Sequence, residues 1–133
     1  MIKLFIGGKG SGKTKTLIEL VNNAVSASKG NVVCIEKGDK LIHDITYKAR
    51  LIDTDAYSVC DAEALYGFIA GILASNADIT DIFVDSALKI VGNDTAAFEK
   101  MLAKLEAITN GVNLVMTASI AVEECPDAIK AYA

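Results

Sequence analysis

A chain of 133 residues that is 52% hydrophobic and 23% charged has the size and composition of a globular protein with a sizeable core, which excludes an intrinsically disordered chain. A net charge of −4, with Arg50 as the only arginine, argues against a stand-alone nucleic-acid binder. The longest nearly uncharged stretch, residues 64–77, is too short to cross a bilayer, and a strand-like run rather than a signal peptide follows Met1, so we expect a cytoplasmic protein without membrane insertion.

The first part of the chain predicts a strand, a glycine-rich turn, a helix and a second strand. Residues 2–6 are a short, mostly apolar run, and residues 7–12 are rich in glycine. A stripe of apolar residues at helical spacing predicts a helix over 13–29, with Gly30 as its stop signal. Residues 32–35 are an uninterrupted apolar run, which is typical of a strand covered on both faces.

The rest of the chain continues this alternation. Residues 37–49 are mixed in character and predict no element. Ser58 and Asp61 have the spacing of a helix start, and Gly67 and Gly71 in the helix that follows predict close packing on the sheet. The remaining predicted elements are a short strand at 51–52, a strand over 79–85, a helix over 96–109, a strand over 112–116 and a short terminal helix opened by Pro126.

This order of elements predicts an α/β fold. Strands that alternate with helices are expected to be parallel and joined by right-handed crossovers. We therefore expect one domain over residues 1–133, a three-layer open sheet that is mainly parallel, with about five strands and helices on both faces. Ligands of such sheets bind at the carboxyl ends of the strands.

The three cysteines and the distribution of charge narrow the chemistry. Cys34, Cys60 and Cys125 are odd in number and widely spaced, so we expect buried free thiols rather than a zinc site or disulfides. Residues 1–50 carry nine basic and four acidic side chains, whereas residues 51–133 carry four and thirteen. The basic part contains the glycine-rich turn, which gives part of that excess a local use.

Residues 7–14 match a phosphate-binding sequence in full. The segment Gly7-Gly8-Lys9-Gly10-Ser11-Gly12-Lys13-Thr14 fits the pattern G-x-x-x-x-G-K-[ST], with a predicted strand before it and a predicted helix after it. Glycines let the backbone wrap around phosphates, and the N–H groups then form a concave nest for anionic oxygens. The start of the helix adds its positive dipole end.

These residues make the chain similar to P-loop NTPases, and the resemblance covers nearly the whole chain in element order, although only the loop is highly specific. It implies binding of ATP with Mg²⁺ through residues 7–15. Lys13 is expected at the β- and γ-phosphates and Thr14 at Mg²⁺, with Lys9 and Lys15 also at the nucleotide. An exposed loop position is the alternative for Lys9.

The segment Ile82-Phe83-Val84-Asp85 resembles the Walker B strand of the same superfamily. In that superfamily the final acid holds a water of Mg²⁺, which implies a place for Asp85 beside Thr14 and the metal. A capping role on the following turn is the alternative for Asp85.

The residue after Asp85 is Ser86, where many P-loop ATPases have a catalytic glutamate. An Asp-Ser pair resembles the RecA-like branch, in which the glutamate ends the strand after the P-loop helix. That position is Glu36, which would orient the attacking water. A solvated strand-end glutamate is the alternative. The resemblance also implies that Thr117 and Ser119 sense the γ-phosphate, although both residue types are common in loops.

The resemblance implies a slow or partner-activated ATPase, a hydrolase in which Lys13 and Glu36 are catalytic. Such enzymes often receive a cation from a neighbouring chain, so a homo-oligomer or a protein partner is expected, and the cation is Arg50, a lysine or a partner's residue. Short bacterial ATP-binding proteins are also similar. Two alternatives stay open, a non-hydrolysing nucleotide sensor and, more weakly, a small-molecule kinase, and no motif specifies ATP over GTP.

Overall fold

Strands and helices alternate throughout the computed structural model, which describes all 133 residues. The strands are β1 (Ile2–Gly7), β2 (Asn31–Glu36), β3 (Arg50–Asp53), β4 (Ile79–Val84) and β5 (Asn113–Ser119). The helices are α1 (Lys13–Ala27), α2 (Ala62–Ser75), α3 (Ala87–Ile90), α4 (Thr95–Glu106) and α5 (Asp127–Lys130). No helix is long and apolar enough to cross a membrane.

The five strands form one parallel sheet in the order β1-β5-β4-β2-β3. The predicted α/β class and the parallel five-stranded sheet are thereby confirmed. Because the strands are parallel, their carboxyl ends share one edge of the sheet, which we call the carboxyl edge. Strand β5 separates β1 from β4, so the chain segments that follow β1 and β4 start about 10 Å apart, two strand spacings, at this edge.

Alternate residues of the strands feed two hydrophobic clusters, one on each face of the sheet. In β2, Val33 and Ile35 enter the larger cluster, which α2 and α4 cover. Val32 and Cys34 point to the other face, where α1 and buried side chains of the 37–49 segment cover them. This burial of both faces explains why the strands are apolar without alternation.

Several predicted element boundaries were wrong. Helix α1 ends at Ala27 rather than residue 29, and Gly30 has a different role, because a Cβ there would lie 2.0 Å from the Asp78 carbonyl oxygen. The start of α2 is capped by Asp61, whose side chain accepts from the Ala64 N–H at 2.8 Å. Ser58 instead ends a short 3₁₀ turn in the left-handed conformation.

Five further points differ from the sequence-based expectations. Helix α4 ends at Glu106, β5 extends to Ser119, and the one-turn helix α3 was not predicted. Gly67 and Gly71 face open space, so the predicted close packing at these glycines is absent. All three cysteines are free, but only Cys34 and Cys125 are buried, whereas Cys60 is exposed.

Candidate functional site at the carboxyl edge

The glycine-rich loop (residues 7–14) joins the end of β1 to the first turn of α1. Gly10 and Gly12 have φ of 82° and 85°, a left-handed conformation that disfavours side chains with a Cβ. Gly12 is the N-cap of α1 and supplies no side-chain acceptor to the first turn. The first backbone N–H groups of a helix lack partners within the helix itself.

Five backbone N–H groups at this loop and at the start of α1 have no acceptor in the protein. No hydrogen bond within the chain is donated by the backbone N–H groups of Gly10, Gly12, Lys13, Thr14 and Lys15. The loop is instead closed by the Ser11 N–H, which donates to the Gly8 carbonyl at 3.2 Å. The loop and the positive end of α1 therefore present a row of donors to an external acceptor.

Lys13 brings a positive charge over the same loop. Its ammonium donates to the Gly8 carbonyl oxygen at 2.9 Å and to Ser11 Oγ at 3.1 Å. The turn is tight, since a Cβ on Gly7 would lie 2.8 Å from Ser11 Oγ. A Cβ at position 7 would therefore displace the Ser11 hydroxyl that accepts from Lys13.

Asp85 follows β4 directly and is only 8% exposed. Its carboxylate accepts from Thr117 Oγ1 at 2.7 Å and from Thr14 Oγ1 at 3.2 Å. The second contact joins the first turn of α1 to the end of β4 across the intervening strand. Asp85 and Thr14, predicted separately from two motifs, are thus brought together.

Thr117 lies on the strand between the loop and Asp85 and is fully buried. Its hydroxyl donates to Asp85 Oδ1 and accepts from the Ser86 N–H, with both distances at 2.7 Å. The only hydroxyl proton of Thr117 is therefore used on Asp85. The other predicted γ-phosphate sensor, Ser119, is exposed and lines the cavity described below.

Glu36 ends β2 and is 3% exposed, so the solvated strand-end alternative is wrong. Both carboxylate oxygens lie within hydrogen-bonding distance of the Leu41 N–H, at 3.2 and 3.3 Å. Burial raises the pKa of Glu36, the N–H groups of Leu41 and Lys40 lower it, and the nearby carboxylates of Asp85 and Asp53 raise it further, with a net increase. A carboxylate with a raised pKa is a better proton acceptor at neutral pH.

A cavity of about 650 Å³ lies at the carboxyl edge, in the size range of small-molecule sites. Leu41 is the single hydrophobic residue among the 16 that line it. The lining contains two carboxylates, Glu36 and Asp85, and six lysines, at positions 9, 13, 15, 37, 40 and 89. The cavity is therefore strongly basic in a chain whose net charge is −4.

Most predicted site residues line this cavity, and six lining residues were missed. Residues 9–15, Glu36, Asp85 and Ser119 contribute to the lining, whereas Gly7, Gly8 and Thr117 do not. The missed residues are Lys37, Lys40, Leu41, Ser86, Lys89 and Asn93. They come from the unassigned 37–49 segment and from the unpredicted helix α3 and its flanking turns. Excess lysine in the first 50 residues was the only sequence signal.

Neither a scan of protein-family models nor a search of curated proteins found a match to this chain. No group of three or more His, Cys, Asp or Glu side chains is gathered to hold a metal ion by itself. The Thr14 hydroxyl and the Asp85 carboxylate nevertheless form an oxygen pair of the kind that shares Mg²⁺ with substrate phosphates.

Proposed function

We propose that this chain is a P-loop nucleotide-binding protein of the RecA-like branch that binds Mg-ATP at the glycine-rich loop. The observation that carries the proposal is the row of five N–H groups without an acceptor at the loop and at the start of α1. Backbone donors are normally paired, and donors at a helix N-terminus bind anionic oxygens. The six lysines of the cavity support a ligand with several negative charges.

In this proposal, Lys13 exchanges its contacts with Gly8 and Ser11 for the β- and γ-phosphates of the nucleotide. Thr14 and Asp85 would hold Mg²⁺, which, when bound, neutralises part of the phosphate charge. Thr117 keeps the Asp85 carboxylate in place, because it donates to Oδ1 from a buried position. The Ser86 N–H fixes the Thr117 hydroxyl in turn.

The activity we propose is slow or partner-activated ATP hydrolysis. Glu36 lies at the cavity with a raised pKa, which suits it to accept a proton from the water that attacks the terminal phosphorus. The new bond joins the water oxygen to phosphorus, and the bond to the ADP oxygen breaks. Lys13 stabilises the charge that develops on the departing phosphate oxygens.

A nucleotide sensor that does not hydrolyse ATP is the second candidate. It is favoured by the contact between Glu36 and Leu41, because both carboxylate oxygens are already within reach of a protein donor. A small-molecule kinase is less well supported, since no arginine lines the cavity to close over the phosphates.

Thermal unfolding with and without nucleotides tests the binding proposal. Mg-ATP at about 100 times its dissociation constant stabilises the folded state by about 2.7 kcal/mol and raises the melting temperature by several degrees. Mg-GTP and Mg-ADP in parallel report the base and phosphate preference. Unchanged melting with millimolar levels of all three nucleotides would contradict nucleotide binding.

Phosphate release distinguishes the two candidate activities. An ATPase that depends on Glu36 loses turnover in Glu36→Gln while it still binds Mg-ATP. If wild type binds Mg-ATP without phosphate release, the sensor is favoured. Release that is equal in wild type and Glu36→Gln would remove Glu36 as the base.

A further inference from the structure

The lysines around the cavity differ in whether a carboxylate neutralises them. Lys37 pairs with Asp55 at 2.7 Å, which is the only ion pair of the chain. Lys9, Lys13 and Lys15 belong to the glycine-rich loop and the first turn of α1. The remaining two, Lys40 and Lys89, lie outside the loop, are exposed and have no carboxylate within 4 Å.

Lys40 and Lys89 come from two different elements that flank Asp85 at the cavity. Lys40 is four residues after Glu36 in the segment that follows β2, and Lys89 is in α3, four residues after Asp85. Both side chains line the cavity. Lys40 approaches from β2, the neighbour of β4, whereas α3 packs against β5, so Lys89 approaches from the strand that separates Asp85 from the loop.

The terminal phosphate of a nucleotide would lie beside Asp85. In nucleotide sites of this kind, a loop hydroxyl and a strand-end carboxylate would hold Mg²⁺, which would neutralise charge on the terminal phosphates. Here these groups are Thr14 and Asp85, at 3.2 Å from each other. Cations that flank Asp85 therefore face the γ-phosphate rather than the α-phosphate.

The single arginine cannot supply this charge within its own chain. Arg50 begins β3 opposite Val33, while Asp53 at the other end of β3 is opposite Glu36. Three residues of strand place Arg50 about 10 Å from the carboxyl edge, and it does not line the cavity. Cations for the terminal phosphate in the monomer must therefore be lysines.

We infer that Lys40 and Lys89 bind the terminal phosphate of the nucleotide from within the same chain and make the site prefer a triphosphate to a diphosphate. The inference rests on the proposed nucleotide binding and adds the residues that distinguish a nucleoside triphosphate from a diphosphate. It also implies that this preference is present in the monomer and needs no cation from a second copy. Because both ammonium groups would contact the same phosphate, the bound triphosphate would also link the 37–49 segment to α3.

Calorimetric titration of Mg-ATP and Mg-ADP into wild type, Lys40→Gln, Lys89→Gln and the double variant tests this inference. Lys29→Gln is the matched control, because Lys29 is also exposed but lies near the start of β2, at the opposite edge of the sheet. We expect each single variant to lose about fivefold to tenfold in ATP affinity, with less than a twofold change for ADP. Lys40→Arg and Lys89→Arg, which keep the positive charge, should retain the preference of wild type for ATP over ADP.

Each result has a separate meaning. Equal losses for ATP and ADP, or no loss in either variant, would overturn the assignment of Lys40 and Lys89 while leaving nucleotide binding intact. Absence of binding in wild type would refute the proposed function itself, and this inference with it. Unchanged thermal melting of the variants without nucleotide, expected because both side chains are exposed, shows that folding does not cause the difference.

Discussion

At the scale of single residues, the site depends on a buried hydroxyl whose role the sequence did not reveal. The Thr117 hydroxyl makes two hydrogen bonds, because it donates to Asp85 and accepts from the Ser86 N–H. A threonine in an apolar strand has no local pattern that predicts such partners. They arise because β5 pairs with β4 and sets Val84 opposite Met116, which is a property of the fold.

Thr117→Val should destabilise the fold by about 1–3 kcal/mol, because it keeps the side-chain shape but leaves Asp85 and the Ser86 N–H without their partner. Thr117→Ser is the control, since it keeps the hydroxyl and loses one methyl group. Urea unfolding of both variants gives the comparison. A valine variant at least as stable as the serine variant would show that these hydrogen bonds contribute nothing to stability.

Glu36 gives a pH dependence with a definite sign. Its folded-state pKa is raised, so the folded state holds the proton more tightly than the unfolded state. The ionised form therefore costs stability as pH rises from the unfolded pKa of about 4.3 through the folded value, and no cost is present below that window. Glu36→Gln removes this cost and keeps an acceptor for the Leu41 N–H.

We therefore expect Glu36→Gln to be more stable than wild type at pH 7.5, with a difference that shrinks toward pH 4 as wild type becomes protonated in both states. Denaturant unfolding at several pH values measures the difference, and other titrating groups cancel between the two proteins. A difference that is constant with pH, or that grows toward acid, would contradict a raised pKa.

At the scale of elements, apolar runs and helical stripes predicted most strands and helices, while their ends were set by contacts with other elements. Gly30 illustrates this. The sequence suggested a helix stop, but α1 already ends at Ala27, and the glycine is needed where the turn before β2 approaches Asp78. Helix α3 has only four residues, which is too short for a periodic pattern to show.

Gly30→Ala should therefore destabilise the protein, by about 1–3 kcal/mol, because the new Cβ would meet a backbone oxygen rather than a flexible side chain. Gly67→Ala is the matched control. It lies inside α2 in open space, where alanine is expected to stabilise the helix by about 0.5–1 kcal/mol. Thermal unfolding that ranks Gly67→Ala below Gly30→Ala would contradict this interpretation of the two glycines.

At the scale of the whole molecule, the parallel sheet places distant segments at one edge and concentrates charge there. Six of the thirteen basic residues of the chain line a single cavity, although the chain as a whole is acidic. The sequence predicted the loop, Asp85 and Glu36 at this edge, because motifs and strand ends mark them. It did not predict Lys40 or Lys89, since the segments that carry them have no periodicity from which a position could be derived.

Titration calorimetry of Mg-ATP with wild type and Lys13→Ala tests the central claim, nucleotide binding at the glycine-rich loop, most directly. Lys29→Ala, at the opposite edge of the sheet, controls for the loss of one charge. We predict that wild type and Lys29→Ala bind Mg-ATP with similar affinity and that Lys13→Ala loses at least about tenfold, because a charge-assisted contact to phosphate is removed. Undetectable binding to wild type, or equal affinity in all three proteins, would contradict the claim.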